Sequence, residues 1–208
     1  MGWKALLFDL DGTLVHTAAE CRYAIVGRAL HDLGIQASPE QMDRFWFGEN
    51  RNEIIRAEFN AVPSTFWEAY KKYDTVARRK PHVRTYEDVD FIKSLCIKGY
   101  KTGIVTGAPE HIASFEISLM GKHYFNSIVH ARLSSGIRPK PNPHGIVECL
   151  KRLNVEPCQA AYIGNADEDI LAARSAGVLD VVVLRGEHQI KETPSLAINS
   201  LNDLRKFI

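Results

Sequence analysis

The sequence predicts an α/β protein: a parallel sheet with helices on both faces, interrupted once by an all-helical insertion. Three observations predict it. Short apolar runs, each closed by a glycine or an acidic turn, recur along the chain. Helical patterns separate these runs, which is the rhythm of a parallel sheet. Residues 17–81 break that rhythm with amphipathic segments and no convincing strand.

Lys4-Ala5-Leu6-Leu7-Phe8 is too short for a helix, and Asp9-Leu10-Asp11-Gly12 closes it, so it reads as a buried strand. The insertion follows. Ala24, Leu30 and Leu33 lie on a segment that stops at Gly34, and Phe45, Trp46, Ile54, Ile55 and Phe59 populate the next ones. Phe66, Trp67 and Tyr70 start a basic stretch ending before Pro81; these aromatic residues read as the insertion's own small core. Hinges are expected near residues 15–18 and 80–84. The rhythm then resumes. Tyr86, Val89, Phe91, Ile92 and Leu95 approximate helical spacing before Gly99. Thr102-Gly103-Ile104-Val105-Thr106 is a second strand, closed by Gly107. Ile112, Phe115 and Leu119 follow Pro109, a good first-turn residue. Residues 125–130 read as another strand, and Ile146, Val147, Leu150 and Leu153 form a helical pattern after Pro143. Ala160-Ala161-Tyr162-Ile163 is closed by Gly164. Ile170, Leu171 and Ala173 precede Gly177, a plausible helix stop. Residues 180–184 form the last strand. The expected division is residues 1–16 with 82–208 as the sheet-bearing core and 17–81 as the insertion.

A chain of 208 residues accommodates one large domain, or one domain with a modest insertion. Hydrophobic residues at 45% and charged residues at 25% are ordinary globular values and argue against disorder. The net charge of +1 leaves no electrostatic footprint for nucleic acid or anionic lipid. Val181-Val182-Val183-Leu184 is among the longest apolar runs, far short of the roughly 20 residues of a membrane span. The opening Met-Gly-Trp-Lys has no charged, apolar and cleavage regions in series, so a cytoplasmic location is expected. Cys21, Cys96, Cys149 and Cys158 form no CxxC pair and are expected to be reduced.

Asp9 and Asp11 are two apart at the end of the first strand, which puts both side chains on one side of an extended chain. At the carboxyl end of a parallel strand they would face the crevice where such sheets bind ligands. Two adjacent carboxylates repel, and a divalent cation such as Mg²⁺, which takes hard oxygen ligands, would reconcile them. Gly12 allows a tight turn and Thr13 can donate a hydrogen bond. The four letters alone also fit a solvated turn.

Phe8-Asp9-Leu10-Asp11-Gly12-Thr13-Leu14-Val15 resembles the first motif of the haloacid dehalogenase-like hydrolases. Three further matches follow in order. Ile104-Val105-Thr106-Gly107 resembles the second motif, Lys140-Pro141-Asn142-Pro143 the third, and Gly164-Asn165-Ala166-Asp167-Glu168-Asp169 the fourth. The resemblance spans the whole chain. It implies a Rossmann-like core, a helical cap over residues 17–81, and a branch similar to phosphoglycolate phosphatases.

The resemblance implies that Asp9 is the nucleophile and forms an aspartyl-phosphate, splitting one hard displacement into two easier ones. Asp11 would protonate the leaving oxygen and then activate water. Thr106 and the Gly107 N–H would hold phosphoryl oxygens. Lys140 and Mg²⁺ would offset charge repulsion. Asp9, Asp11, Asn165 and Asp169 would supply the metal site, with orientation of Lys140 as the other role for Asp169. Taken singly, Lys140 also reads as a solvated lysine, Thr106 as a strand terminus, and residues 167–169 as an acidic helix start. Their joint order carries the resemblance.

Two departures stand out. The fourth motif usually begins Gly-Asp, where this chain has Asn165; an oxygen ligand is kept and a negative charge lost, so weaker metal binding is expected unless Asp167 or Asp169 compensates. His16 stands where related phosphatases often have Asp. At the substrate end, Gly48-Glu49-Asn50-Arg51 is similar to the loop a cap presents to its substrate, with Asn50 able to cap a helix and Arg51 able to pair with a carboxylate or second phosphate. Arg138 is another basic candidate, and His111, His144 and His188 read as structural. The expected function is Mg²⁺-dependent hydrolysis of a small phosphorylated metabolite, phosphoglycolate-like by resemblance, by a monomer or homodimer without nucleic-acid or membrane partners. The alternatives are a non-catalytic phosphate-binding or interaction protein of this fold, motivated by Asn165, and a sugar phosphomutase, although its usual Glu-Asp-Ser fourth motif is missing here. A dehalogenase is disfavoured by the acid at Asp11. A phosphonatase would need a cap lysine, and Lys71 and Lys72 lie in no matching motif.

Overall fold

A computed structural model of the chain describes residues 2–48 and 50–208. The chain forms two compact units: Met1–His16 with Arg84–Ile208, and Thr17–Val83. Strand β1, Ala5–Phe8, is apolar at every position and fully buried. The short strand β2, Val15–Thr17, follows, and its partner β3, Val83–Thr85, comes only after the whole second unit.

The second unit is helical: α1 Ala19–Asp32, α2 Pro39–Phe47, α3 Arg51–Phe59, α4 Pro63–Tyr73 and α5 Val76–Arg79. Apolar residues at helical spacing gather into one core, with Ile25 and Leu30 of α1, Phe45 of α2, Ile55 and Phe59 of α3, and Phe66 of α4. The Phe45 and Phe66 rings meet edge to face, 5.0 Å between centres. Ser38 starts α2 with a reciprocal cap: its Oγ accepts from the Gln41 N–H, and the Gln41 side chain accepts from the Ser38 N–H. Asn50 does not fulfil its expected role. It stands before α3 with φ of +48°, and its side chain makes no capping hydrogen bond. In this left-handed conformation the Asn50 side chain is turned from the geometry a cap needs.

The first unit carries the sheet. After β3 come α6 Phe91–Ile97, β4 Lys101–Thr106, α7 Glu110–Ser118, β5 Ser127–His130, α8 His144–Leu153, β6 Ala160–Gly164, α9 Asp167–Ser175, β7 Leu179–Val183 and β8 Leu196–Ile198. The strands lie in the order β5-β4-β1-β6-β7-β8, and every pairing is parallel. Ala5, Leu7, Val105 and Tyr162 face one side, where Ile146 and Leu150 of α8 and Ala172 and Ala173 of α9 cover them. Leu6 and Phe8 point to the other side and are equally buried, so both faces are covered. Gly177, at φ +72°, ends α9 in the left-handed conformation that suits glycine.

The predicted strands are all present. The three missed ones, β2, β3 and β8, have three residues each, too few for an alternating pattern to register. The four cysteines are free thiols. Among the described residues no helix is long and apolar enough to cross a membrane.

Candidate active site

Chain order and sheet order part company at β1. From β1 the chain leaves for the helical unit, and β4 and β6 then dock on its two sides. Such a junction opens a crevice beyond the carboxyl ends of the strands. Asp9 is the first residue beyond β1 and donates its N–H to the Ile163 carbonyl of β6 at 2.9 Å. Thr106 ends β4, two residues past Ile104, which is the register partner of Phe8. Asn165 and Asp169 follow β6 directly.

Lys140 arrives from the loop before α8, with its side chain 5% exposed. Its ammonium donates to Asp9 Oδ1 at 2.7 Å and to Asp169 Oδ1 at 2.6 Å. Glu168 lies further off, 3.9 Å from the same nitrogen. Asp169 Oδ2 accepts the backbone N–H groups of Asn165 and Ala166, both at 3.0 Å. Gly164 makes this possible, because a Cβ there would strike the Asp169 carboxyl group. Both oxygens of Asp169 thus accept hydrogen bonds from within the protein.

Tyr162, in a buried strand by its sequence, belongs to this cluster. Its buried hydroxyl lies 3.4 Å from Lys140 Nζ, and 3.2 Å from both Asp169 Oδ1 and the Val105 carbonyl. The available signal was chemical: a phenol inside a buried strand needs polar partners for its hydroxyl.

On the other side of Asp9, the Thr13 hydroxyl faces Asp9 Oδ2 at 3.2 Å and Asn165 Oδ1 at 3.1 Å. One hydroxyl proton cannot satisfy two acceptors at once. The surplus of hard oxygen suits a cation such as Mg²⁺, so Asp9 and Asn165 fit that group. Gly12, at φ +85°, packs directly on Asn165, and a Cβ there would collide with its amide. Asp167 holds the loop that follows: its Oδ1 accepts the backbone N–H groups of Lys191 and Glu192 at 2.9 Å each. Among the described residues, no three His, Cys, Asp or Glu side chains cluster as a metal site.

Burial pushes the Asp9 carboxyl up to about 7; Lys140 pulls it back and Asp169 adds to the rise. Burial alone would depress Lys140, but Asp169 and Asp9 outweigh it and hold the ammonium well above its ordinary range. One cation cannot neutralise two carboxylates.

The remaining expected residues divide. Asp11 is partly buried on the turn after β1, in a bridge with Val15. Thr106 is buried, and its Oγ1 accepts from the Ala108 N–H at 3.0 Å, which leaves its own proton to donate. The exposed Gly107 offers its carbonyl to Arg132. The Arg138 N–H donates to His144 Nδ1 at 3.2 Å. His16 pairs with Glu187, and His188 lines a cavity of about 240 Å³ with Asn165, Arg185 and Glu187. Arg51 lies in the helical unit, where its guanidinium donates to the Trp46 carbonyl at 2.9 Å. Glu49 of the expected substrate loop lies outside the described residues.

A parallel sheet with a lysine-bridged pair of aspartates at its switch point is an α/β enzyme-type site. Residues 6–183 match the family model of the haloacid dehalogenase-like hydrolases, and the chain belongs to that family. Phosphoglycolate phosphatase 1 of Pseudomonas aeruginosa is 27% identical over 220 residues, covering 97% of this chain and 78% of its own. Pyrophosphatase PpaX of Anoxybacillus flavithermus is 29% identical over 217 residues, covering 100% of this chain and 98% of its own. The crystal structure of CbbY from Rhodobacter sphaeroides in complex with phosphate superimposes with a TM-score of 0.79 at 19% identity, over 97% of this chain and 96% of that one. That likeness is one of fold.

Proposed function

We propose that this enzyme is a phosphoric monoester hydrolase that acts on a small phosphorylated metabolite through an aspartyl-phosphate on Asp9. One observation carries the reading: the buried Lys140 ammonium bridges Asp9 and Asp169 at 2.7 and 2.6 Å. A carboxylate that attacks a phosphate must overcome repulsion of about 4 kcal/mol per pair of unit charges at ~4 Å and an effective dielectric of ~20. A fixed, desolvated cation beside the nucleophile answers that need. The relatives named for phosphoglycolate and pyrophosphate chemistry support a small anionic substrate.

In this reading the Asp9 carboxylate attacks phosphorus, with Lys140 beside it. Asp11 gives a proton to the departing oxygen and later takes one from water. Thr106 Oγ1 and the Gly107 N–H hold the phosphoryl oxygens, and Asp169 and Tyr162 keep Lys140 in place. Asp9, Asn165 and Asp11 would hold Mg²⁺, which when bound supplies positive charge to the phosphoryl group. The helical unit serves as a cap that limits substrate size and offers Arg51 to a second anionic group.

Hydrolysis of p-nitrophenyl phosphate, with and without Mg²⁺, tests the reading. Turnover is expected to require the metal and to be abolished by Asp9→Asn. Beryllofluoride adds to Asp9 of the wild-type protein as an acyl-phosphate mimic. Absence of any metal-dependent turnover would favour the non-catalytic alternative. Equal activity toward large phosphoproteins and small esters would refute the cap.

A further inference from the structure

Arg185 stands two residues past β7, with its side chain 8% exposed. Its Nη1 and Nη2 donate to the two carboxylate oxygens of Asp88, each at 2.9 Å. The same Nη2 donates to the Thr13 carbonyl at 2.7 Å. The centre of the guanidinium lies 3.9 Å from the centre of the Tyr86 ring. Asp88 also accepts from the Leu201 N–H at 2.8 Å and from the Ser200 hydroxyl at 3.0 Å. Close by, the Tyr86 N–H donates to the Leu14 carbonyl at 3.1 Å.

A guanidinium held by both arms on one carboxylate and stacked on a ring has a fixed direction. Here the second proton of Nη2 is aimed at a backbone carbonyl, while Nε is buried without a hydrogen-bond partner among the described residues. That carbonyl belongs to Thr13, whose hydroxyl faces Asp9 Oδ2 and Asn165 Oδ1. The turn has internal bonds of its own, Gly12 N–H to the Val15 carbonyl at 2.7 Å and Leu14 N–H to the Leu10 carbonyl at 2.9 Å. These fix its shape, and Arg185 fixes its place against β7 and the segment after β3.

We propose that Arg185, oriented by Asp88, is a positioning residue that clamps the nucleophile turn, residues 9–15, through the Thr13 carbonyl. It touches no reacting atom. It acts by holding the Thr13 hydroxyl, and with it the Asp9–Asn165 oxygen pair, in register. The inference rests on the phosphatase reading for its kinetic readout only.

The test uses the full chain as Arg185→Met, Arg185→Lys and the double variant Arg185→Met with Asp88→Asn, which leaves no unpaired buried charge if the single variant fails to fold. p-Nitrophenyl phosphate hydrolysis gives kcat, KM and the half-saturating Mg²⁺. Amide hydrogen exchange of a peptide covering residues 8–15 reports the turn directly. Loss of the clamp lowers kcat by about tenfold, the scale of losing an outer-shell orienting contact, with KM near wild type. It also raises the Mg²⁺ requirement and speeds exchange at Leu14 and Val15. Arg185→Lys recovers little, because an ammonium cannot reproduce the fork. Unchanged exchange and Mg²⁺ requirement, whatever happens to Tm, would overturn the clamp, and so would a lysine variant equal to wild type. A wild-type protein without turnover would refute the phosphatase reading, while the exchange measurement would still decide the clamp.

Discussion

Asp169 holds Lys140 from behind: its Oδ1 accepts the ammonium at 2.6 Å, while its Oδ2 is fixed by two backbone N–H groups. The lysine therefore meets Asp9 as part of a braced unit. Replacing Lys140 by Met is expected to lower kcat about 10²–10³-fold, the usual scale for losing one preorganised electrostatic group. Asp169→Asn should cost about 10–100-fold with the Mg²⁺ requirement little changed. Steady-state kinetics across a Mg²⁺ titration checks both. An Asp169→Asn enzyme with normal kcat and a sharply raised Mg²⁺ requirement would place the metal on Asp169 instead.

Asn165 gives the oxygen cluster an amide where the family usually has a carboxylate. Restoring the charge with Asn165→Asp should lower the half-saturating Mg²⁺ at least tenfold. Such a change is about 1.4 kcal/mol, a fraction of the several kcal/mol between a cation and an added charge at ~4 Å. Wild type is expected to need millimolar Mg²⁺. Equal metal dependence in the two proteins would remove the charge account of Asn165.

Asp9 has its carboxyl raised to about 7 from an ordinary value near 3.8, burial being the main cause. Between those two values the folded chain binds the proton more tightly than the unfolded chain. Stability without metal must then fall as pH rises from about 4 to 7 and stay low above that. Asp9→Asn has no proton to lose. In EDTA it should resist urea better than wild type at pH 8, and the advantage should shrink toward pH 4. Urea melts at the two pH values decide this, and a gap that does not depend on pH would contradict it.

Tyr162→Phe removes one hydroxyl from among Lys140, Asp169 and the Val105 carbonyl. The ring stays, so packing is preserved. A loss of about 1 kcal/mol in stability is expected, seen in chemical denaturation. A fall in kcat of about tenfold with KM unchanged would mark the hydroxyl as a support for Lys140. Wild-type kcat with only the stability loss would make it a core phenol and nothing more.

Much of this was legible from residues alone, for identifiable reasons. The sheet announced itself because buried parallel strands are continuous apolar runs with sharp ends, as at Ala5–Phe8 and Ala160–Gly164. Asp9, Lys140 and Asp169 were found through their ordered positions at those ends, and their side chains meet within 2.7 Å. What stayed hidden depends on partners distant in sequence. The two backbone N–H groups that fix Asp169 Oδ2 show in no pattern of letters. Tyr162 looked like core because its strand is core. Asp88 and Arg185 are 97 residues apart, and no motif links them.

The hydrogen bond from the Tyr86 N–H to the Leu14 carbonyl has a wider consequence. It brings the two ends of the sheet-bearing unit within one bond of each other, although a helical unit of its own separates them along the chain. The turn that carries Asp9 is thus tied to the point where the chain re-enters the sheet-bearing unit, by a bond that lies wholly within that unit.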